Sequence, residues 1–149
     1  NVYGPRQSNR AIIPTIINQM IRGNVINLGN INIKRDFTFV NDTCLGIESI
    51  LYSKKCFGEI VNIGSNVNYS INEIIKILAK KTGKKPKIKI DKNRIRPNKS
   101  EVFNLLCDNK KIIKLTDWNI KTNFEKGLSK TYDWFLNNQN LYLKDTYHE

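Results

Sequence analysis

The sequence predicts an α/β fold, and two observations carry that prediction. Segments with apolar residues at helical spacing alternate along the chain with short runs in which apolar and polar residues alternate in twos. The 149 residues are also 40% hydrophobic and 26% charged, ordinary globular usage in a chain long enough to bury a core.

The opening turn, NVYGPRQSNR, leads into AIIPTIINQMIRG, where Ile13, Ile16, Ile17, Met20 and Ile21 fall on one helical stripe and Gly23 supplies a stop. Pro14 belongs in the first turn of that helix, where its missing N–H does no harm. NVINLGN reads as a short strand running into a turn. In RDFTFV, Phe37 and Phe39 alternate with Thr38 as in a strand. NDTCLGIESILY follows as a helix capped by Asn41 or Asp42, with Leu45, Ile50 and Leu51 on one face and Cys44 as a small core residue.

GEIVNIGS reads as a buried strand interrupted by Asn62 and ended by Gly64. The clearest start signal comes next: Ser70 and Glu73 form an S-x-x-E capping box, and Ile71, Ile74, Ile75 and Leu78 follow one stripe as far as Gly83. KIKID is a short strand. After the loop NRIRPNKSEV, Asp108 is expected to cap a short helix over NKKIIKL. NFEKGLSKTYDWFLNN gives a last helix with Phe124, Leu128, Tyr132 and Phe135 inward.

A net charge of +12 would concentrate polyanions, but the lysines are spread along the whole chain, which favours a solvated surface over a nucleic-acid interface. Cys44, Cys56 and Cys107 are odd in number and far apart, so neither a disulfide framework nor a zinc site is suggested and no metal is expected. The one histidine, His148, lies in a polar tail and leaves no Ser-His-Asp or Cys-His arrangement, so no catalytic residue is assigned. No apolar run reaches membrane-spanning length and no signal-peptide pattern opens the chain; a soluble cytoplasmic protein is expected.

Four places gather groups suited to a diphosphate and a ribose or sugar. They are the opening turn with Asn1, Arg6 and Arg10; Arg35 in KRDF; Asn62, an amide inside an apolar run; and RIRPNKSE, with Arg94, Arg96 and Glu101. Guanidinium forks donate paired hydrogen bonds to phosphate, and a carboxylate accepts from both ribose hydroxyls. Taken singly, Arg35 could instead pair with Asp36 or Asp42, Asn62 could satisfy neighbouring backbone, and the Arg94/Arg96 pair could be surface charge.

In this order, NVYGPRQ, RAIIPTII, INLGN, RDFTFVNDT, GEIVNIGS, SINEIIKI, RIRPNKSEV and the closing DW with FEKGLSKTYDWF resemble the C-terminal part of the extended short-chain dehydrogenase/reductases, the NAD-dependent nucleotide-sugar epimerases and dehydratases. RAIIPTII, LGN and RPNKSEV look most like the branch of 4,6-dehydratases acting on N-acetylhexosamines. The resemblance implies the last sheet strands of a Rossmann-like NAD(P)-binding fold plus a small α/β substrate-binding domain, over residues 1–149. It also implies an N-terminal NAD-binding half that these residues do not include, UDP- or GDP-linked hexose or N-acetylhexosamine as substrate, and a homo-oligomer.

Carried over by motif, Asn1 would contact the sugar diphosphate, and Arg10 and Ala11 would lie along the nucleotide. Asn27 and Leu28 would flank the base, Arg35 would bind the diphosphate, and Asn62 would line the nucleotide pocket. Arg96 and Glu101 would bind phosphate and ribose, and Arg6 would approach the cofactor or a neighbouring subunit. The resemblance implies a parent lyase or isomerase using NAD; the family's Gly-rich NAD loop and Tyr-x-x-x-Lys pair have no counterpart here, so this segment alone would be inactive and bind no cofactor. Two other readings are a non-catalytic nucleotide-sugar-binding module and a nonspecific nucleic-acid binder. Strands cut off from their sheet would also expose edges and an apolar face, so self-association or marginal stability is expected.

Overall fold

Strand-type runs in this chain are short, and a computed structural model, which describes residues 1–95, 97 and 100–142, distributes them over three small sheets among those residues. β1 (Val2–Tyr3) pairs in parallel with β4 (Thr38–Phe39). β2 (Val25–Leu28) pairs in parallel with β6 (Lys87–Ile90), Leu28 opposite Ile90. β3 (Lys34–Asp36) lies between β5 (Asn68–Ser70), antiparallel, and β7 (Asn104–Leu105), parallel. The run RDFTF therefore serves two sheets, handing over at Phe37.

Five α-helices accompany these strands among the described residues. α1 (Ile12–Arg22), α3 (Ile71–Thr82) and α5 (Phe124–Asn137) bury their apolar stripes against one another and against β2 and β4. Ile16, Ile17, Met20, Ile74, Leu78, Leu128 and Phe135 are fully enclosed there; each such side chain contributes about 1.5–3 kcal/mol relative to exposure. Tyr3 fills the centre, edge-on to Phe37 and Phe39, and donates its hydroxyl to the carbonyl of Phe124 at 3.2 Å. Burial, with the Asp42 charge second, pushes its pKa well above the usual phenol range.

The capping box forms as expected: Ser70 Oγ accepts from the Glu73 N–H, the Glu73 carboxylate accepts from the Ser70 N–H, and Gly83 closes α3 in the left-handed conformation. The inward face of α5 also matches expectation, with Phe124, Leu128, Tyr132 and Phe135 all buried. Gly4, at φ 155°, lets the opening turn pass against Val40, whose side chain would collide with a Cβ there.

Three expectations are corrected. α2 (Val40–Tyr52) starts at Val40 behind Phe39, without a side-chain cap; Asp42, inside the first turn and 1% exposed, instead accepts from the backbone N–H groups of Lys121 and Thr122. Its carbonyl takes the indole N–H of Trp118 at 2.8 Å, which fastens the DW segment to α2. Helix α2 does not turn Leu45 and Leu51 inward: both are exposed, as is Cys44, because the buried contacts of this helix run through Asp42 and Gly46 instead. GEIVNIGS forms no strand among the described residues, and Ile60 and Asn62 are exposed. A strand exists only with a hydrogen-bonded neighbour, and this segment has none among the described residues.

α4 (Lys110–Leu115) is the short helix expected over NKKIIKL. Its N-cap position is Asn109, buried with its amide on the Gly64 carbonyl, while Asp108 accepts from the Lys110 N–H at 3.0 Å. Among the described residues no helix is long and apolar enough to cross a membrane.

Candidate anion-binding cleft

The end of β2, the start of α1 and the strand β3 surround a cleft of about 430 Å³ lined by Asn1, Arg10, Leu28, Arg35, Arg94 and Glu101, with Ile12, Thr15, Ile33, Phe37 and Ile71 among its other walls. Five of the nine residues expected to bind substrate are thus brought together, although they come from four separate stretches of chain. Leu28 is carried in by β2 and is 2% exposed. Gly29, directly after it, packs so closely on the Arg94 carbonyl that a Cβ would collide, which explains the glycine in INLGN.

Arg35 is held by its own sheet. Its Nη1 donates to the carbonyls of Lys34 at 2.9 Å and Val102 at 2.5 Å, and its Nη2 reaches Glu101 Oε1 at 3.2 Å. Both side chains of this ion pair are mostly enclosed, 14% and 6% exposed. The pairing partner is therefore Glu101, and neither Asp36 nor Asp42. Arg10 differs: it is exposed, and its guanidinium has no ion-pair partner among the described residues. The first turn of α1 lines the same cleft, adding the positive end of a helix dipole. Arg94 donates to the Asn27 carbonyl and pairs with Asp91 at 3.2 Å.

Asn62 lies in a second, adjoining cleft of about 300 Å³ with Asp36, Gly64 and Cys107, and Asn1 lines both. The Asn1 amide donates to the Asp36 carbonyl, and its carbonyl accepts from the Thr38 N–H at 2.9 Å, which continues the β1–β4 ladder. Ala11 and Asn27 line neither cleft: Ala11 stands just before α1, and Asn27 gives its N–H and carbonyl to the Gln19 side chain. Arg6 is exposed at φ 64°, and its charge is felt at Tyr142. Arg96 and His148 lie outside the described residues.

Sequence reasoning missed Asp36. It is 3% exposed, and its carboxylate accepts from four donors: the Ser65 N–H and hydroxyl on Oδ1, and the Asn66 and Cys107 N–H groups on Oδ2. One aspartate thus binds the turn after NIGS and the strand exit at Cys107 to β3, with Asn66 in the left-handed conformation that asparagine tolerates. Burial first, then the Asp36 charge, pushes the Cys107 thiol pKa up. The signal available in the sequence was only an aspartate flanked by strand residues.

A somewhat larger cleft, about 460 Å³, lies between α2 and α4, but its lysines, Lys55 and Lys114, share it with Glu48 and Asp117. That mixture leaves little net attraction for a diphosphate, so the cleft holding Arg10 and Arg35 is the better anion site. Among the described residues no three His, Cys, Asp or Glu side chains gather as a metal-holding group.

Comparison with known proteins agrees with this architecture. The chain is 31% identical over 139 residues to a trifunctional UDP-glucose 4,6-dehydratase/UDP-4-keto-6-deoxy-D-glucose 3,5-epimerase/UDP-4-keto-L-rhamnose-reductase of Arabidopsis thaliana, matching 93% of this chain and 20% of that protein. A dTDP-glucose 4,6-dehydratase of Xanthomonas campestris is 28% identical, with 93% of this chain and 41% of that protein covered. Among solved structures, UDP-glucuronic acid 4-epimerase from Bacillus cereus, in complex with UDP-glucuronic acid and NAD, superposes with a TM-score of 0.83 at 30% identity, over 95% of this chain and 44% of that one. The chain thus spans less than half the length of each of these relatives. The family model described as GDP-mannose 4,6 dehydratase matches residues 1–131, and the chain belongs to that family of nucleotide-sugar dehydratases and epimerases.

Proposed function

We propose that the chain is the nucleotide-sugar-binding portion of an NAD-dependent 4,6-dehydratase or 4-epimerase, and that it works docked against a cofactor-binding half. The observation that carries this reading is the cleft lined by both Arg35, fixed by its strand, and Arg10, which has no ion-pair partner among the described residues. In this reading the diphosphate of a UDP-, dTDP- or GDP-linked hexose lies across Arg10 and Arg35. The nucleoside rests on the apolar wall of Leu28 and Ile12, and Asn1 sits between the diphosphate and the sugar. Asn62 lines the adjoining cleft, and Arg96 is proposed as a further phosphate ligand.

The residues of this chain do not fit NAD: it has neither a Gly-rich dinucleotide loop nor a Tyr-x-x-x-Lys pair, so no hydride or proton step is assigned to it. Its contribution is positional. Holding the hexose at a fixed place relative to a cofactor makes an otherwise bimolecular step effectively intramolecular. Docking is supported by the exposed apolar residues of α2, Ile47, Leu51 and Tyr52, by exposed Phe57 and Ile60 soon after it in the chain, and by residues 60–63, which pair with no strand among the described residues. An apolar patch beside an open edge is a surface for another domain.

Calorimetric titration of the full-length protein with UDP-, dTDP- and GDP-sugars tests the reading. Binding of at least one of them, weakened about tenfold or more in both Arg35→Ala and Arg10→Ala, is the expected result. No binding refutes the function, and binding that neither substitution alters refutes the cleft.

A further inference from the structure

Lysine is common along the whole chain, but residues 80–94 concentrate it: eight lysines and arginines stand there against one carboxylate, Asp91. The fold lays this run beside the anion cleft. β6 carries Lys87 and Lys89 in register with Val25 and Asn27, and its last residue, Ile90, stands opposite Leu28, which lines the cleft. The Asp91 N–H donates to the Leu28 carbonyl at 2.8 Å, and Arg94, three residues on, is itself part of the cleft wall. Three of the eight cations are committed to protein groups: Lys81 pairs with Asp133 at 2.8 Å, Lys84 donates to the Met20 carbonyl, and Arg94 takes the run's own carboxylate, Asp91. Lys80 lies on the last turn of α3. The other four, Lys85, Lys87, Lys89 and Lys92, are exposed and have no ion-pair partner among the described residues. They form a row of uncompensated charge that ends at the cleft: at a rise of about 3.3 Å per residue, Lys87 lies about 10 Å back along β6 from the level of Leu28.

We infer that Lys87, Lys89 and Lys92 steer the nucleotide sugar into the cleft: they raise the rate of its capture without touching it once it is bound. This inference rests on the function proposed above and deepens it, since a nucleoside diphosphate sugar brings two negative charges and the attraction acts before contact. At about 0.01 M salt the Debye length is about 30 Å, longer than the row, so all three charges act together on an anion approaching the cleft; at about 1 M it is about 3 Å and each is screened. A surface of one sign leading to a cleft raises association rates in this way. Lysines on an edge strand also deter pairing with a foreign strand. That role is filled by Lys87 and Lys89 and has no need of Lys85 and Lys92, which flank β6 and extend the row to the cleft.

The probes are UDP, dTDP and GDP esters of an uncharged fluorophore, which keep both charges of a nucleotide sugar. Stopped-flow fluorescence gives their association and dissociation rate constants on the full-length protein, and far-ultraviolet circular dichroism checks that each variant is folded. The triple variant Lys87→Gln/Lys89→Gln/Lys92→Gln is expected to associate about fivefold more slowly at about 0.01 M salt, with dissociation unchanged, and to match the wild type at about 1 M. A control triple, Lys54→Gln/Lys110→Gln/Lys114→Gln, removes the same net charge from exposed positions that do not line the cleft, and is expected to slow association by under about twofold. Equal slowing in the two triples would overturn the inference, because net charge alone would then account for it. Unchanged association in the first triple, or a loss of affinity that appears as faster dissociation, would also overturn it. If the first triple fails to fold, the wild type and the single Lys89→Glu variant decide: wild-type association independent of salt, or Lys89→Glu associating at the wild-type rate, overturns the inference. A wild-type protein that binds none of the three probes would instead refute the proposed function itself.

Discussion

Replacing Asp36 by asparagine isolates the most heavily bonded side chain near the cleft. Each carboxylate oxygen accepts two hydrogen bonds, Oδ1 from the Ser65 N–H at 2.9 Å and hydroxyl at 2.6 Å, Oδ2 from the Asn66 N–H at 2.8 Å and the Cys107 N–H at 3.2 Å. Asparagine has one acceptor oxygen, so whichever way its amide turns, two donors face an NH₂ group. Hydrogen bonds to a charged group contribute about 1.5–3 kcal/mol each, so the loss of two at a site 3% exposed is expected to cost about 3–6 kcal/mol. Urea unfolding followed by circular dichroism reads this as a lower midpoint at unchanged slope. A loss under about 1 kcal/mol would refute the reasoning, since it would mean that backbone donors of the Ser65–Asn66 turn find water as readily as they find Asp36.

Gly127→Ala is expected to destabilise by about 1–3 kcal/mol, because a Cβ there collides with the Tyr3 hydroxyl in a closed core; equilibrium denaturation checks it, and a neutral result would mean that Tyr3 can retreat. The hydrogen bonds from Ser70 hold the Glu73 pKa below the ordinary carboxylate value of 4.5. The unfolded chain therefore takes up that proton first, and the box's stabilisation, complete above pH 4.5, is lost as pH falls toward the lowered value. Melting temperatures of wild type and Ser70→Ala should converge as acid is added; a gap that stays constant contradicts the assignment. Thiol labelling with iodoacetamide should modify exposed Cys44 first, then Cys107, whose raised pKa and partial burial slow it, and buried Cys56 last, as read by peptide mass spectrometry. Labelling of Cys56 ahead of Cys44 would mean that the corrected orientation of α2 is wrong.

Local signals in this sequence translated into structure where the partner lies a few residues away. The Ser70/Glu73 box, the α1 stripe and the inward face of α5 all depend on neighbours three or four positions along the chain, and all three stand as the periodicity indicates. Helix α2 shows the limit: periodicity places Leu45, Ile50 and Leu51 on one face but does not say what lies opposite, and here Leu45, Leu51 and Tyr52 are left exposed. The run 59–65 fails as a strand among the described residues for the same reason. Within the cleft, chemistry alone singles out Arg35 and Arg10 as candidate anion ligands, and the structure brings both to one cleft. The bond from Arg35 to Glu101 spans 66 residues, and the grip of Asp36 on Cys107 spans 71, separations that leave no trace in local pattern.

The most direct test of the account is to locate a bound nucleotide sugar. A crystal structure of the full-length protein with a UDP-sugar is predicted to place the diphosphate within hydrogen-bonding distance of Arg10 and Arg35. A diphosphate found instead between Lys55 and Lys114, in the cleft of α2 and α4, would contradict it.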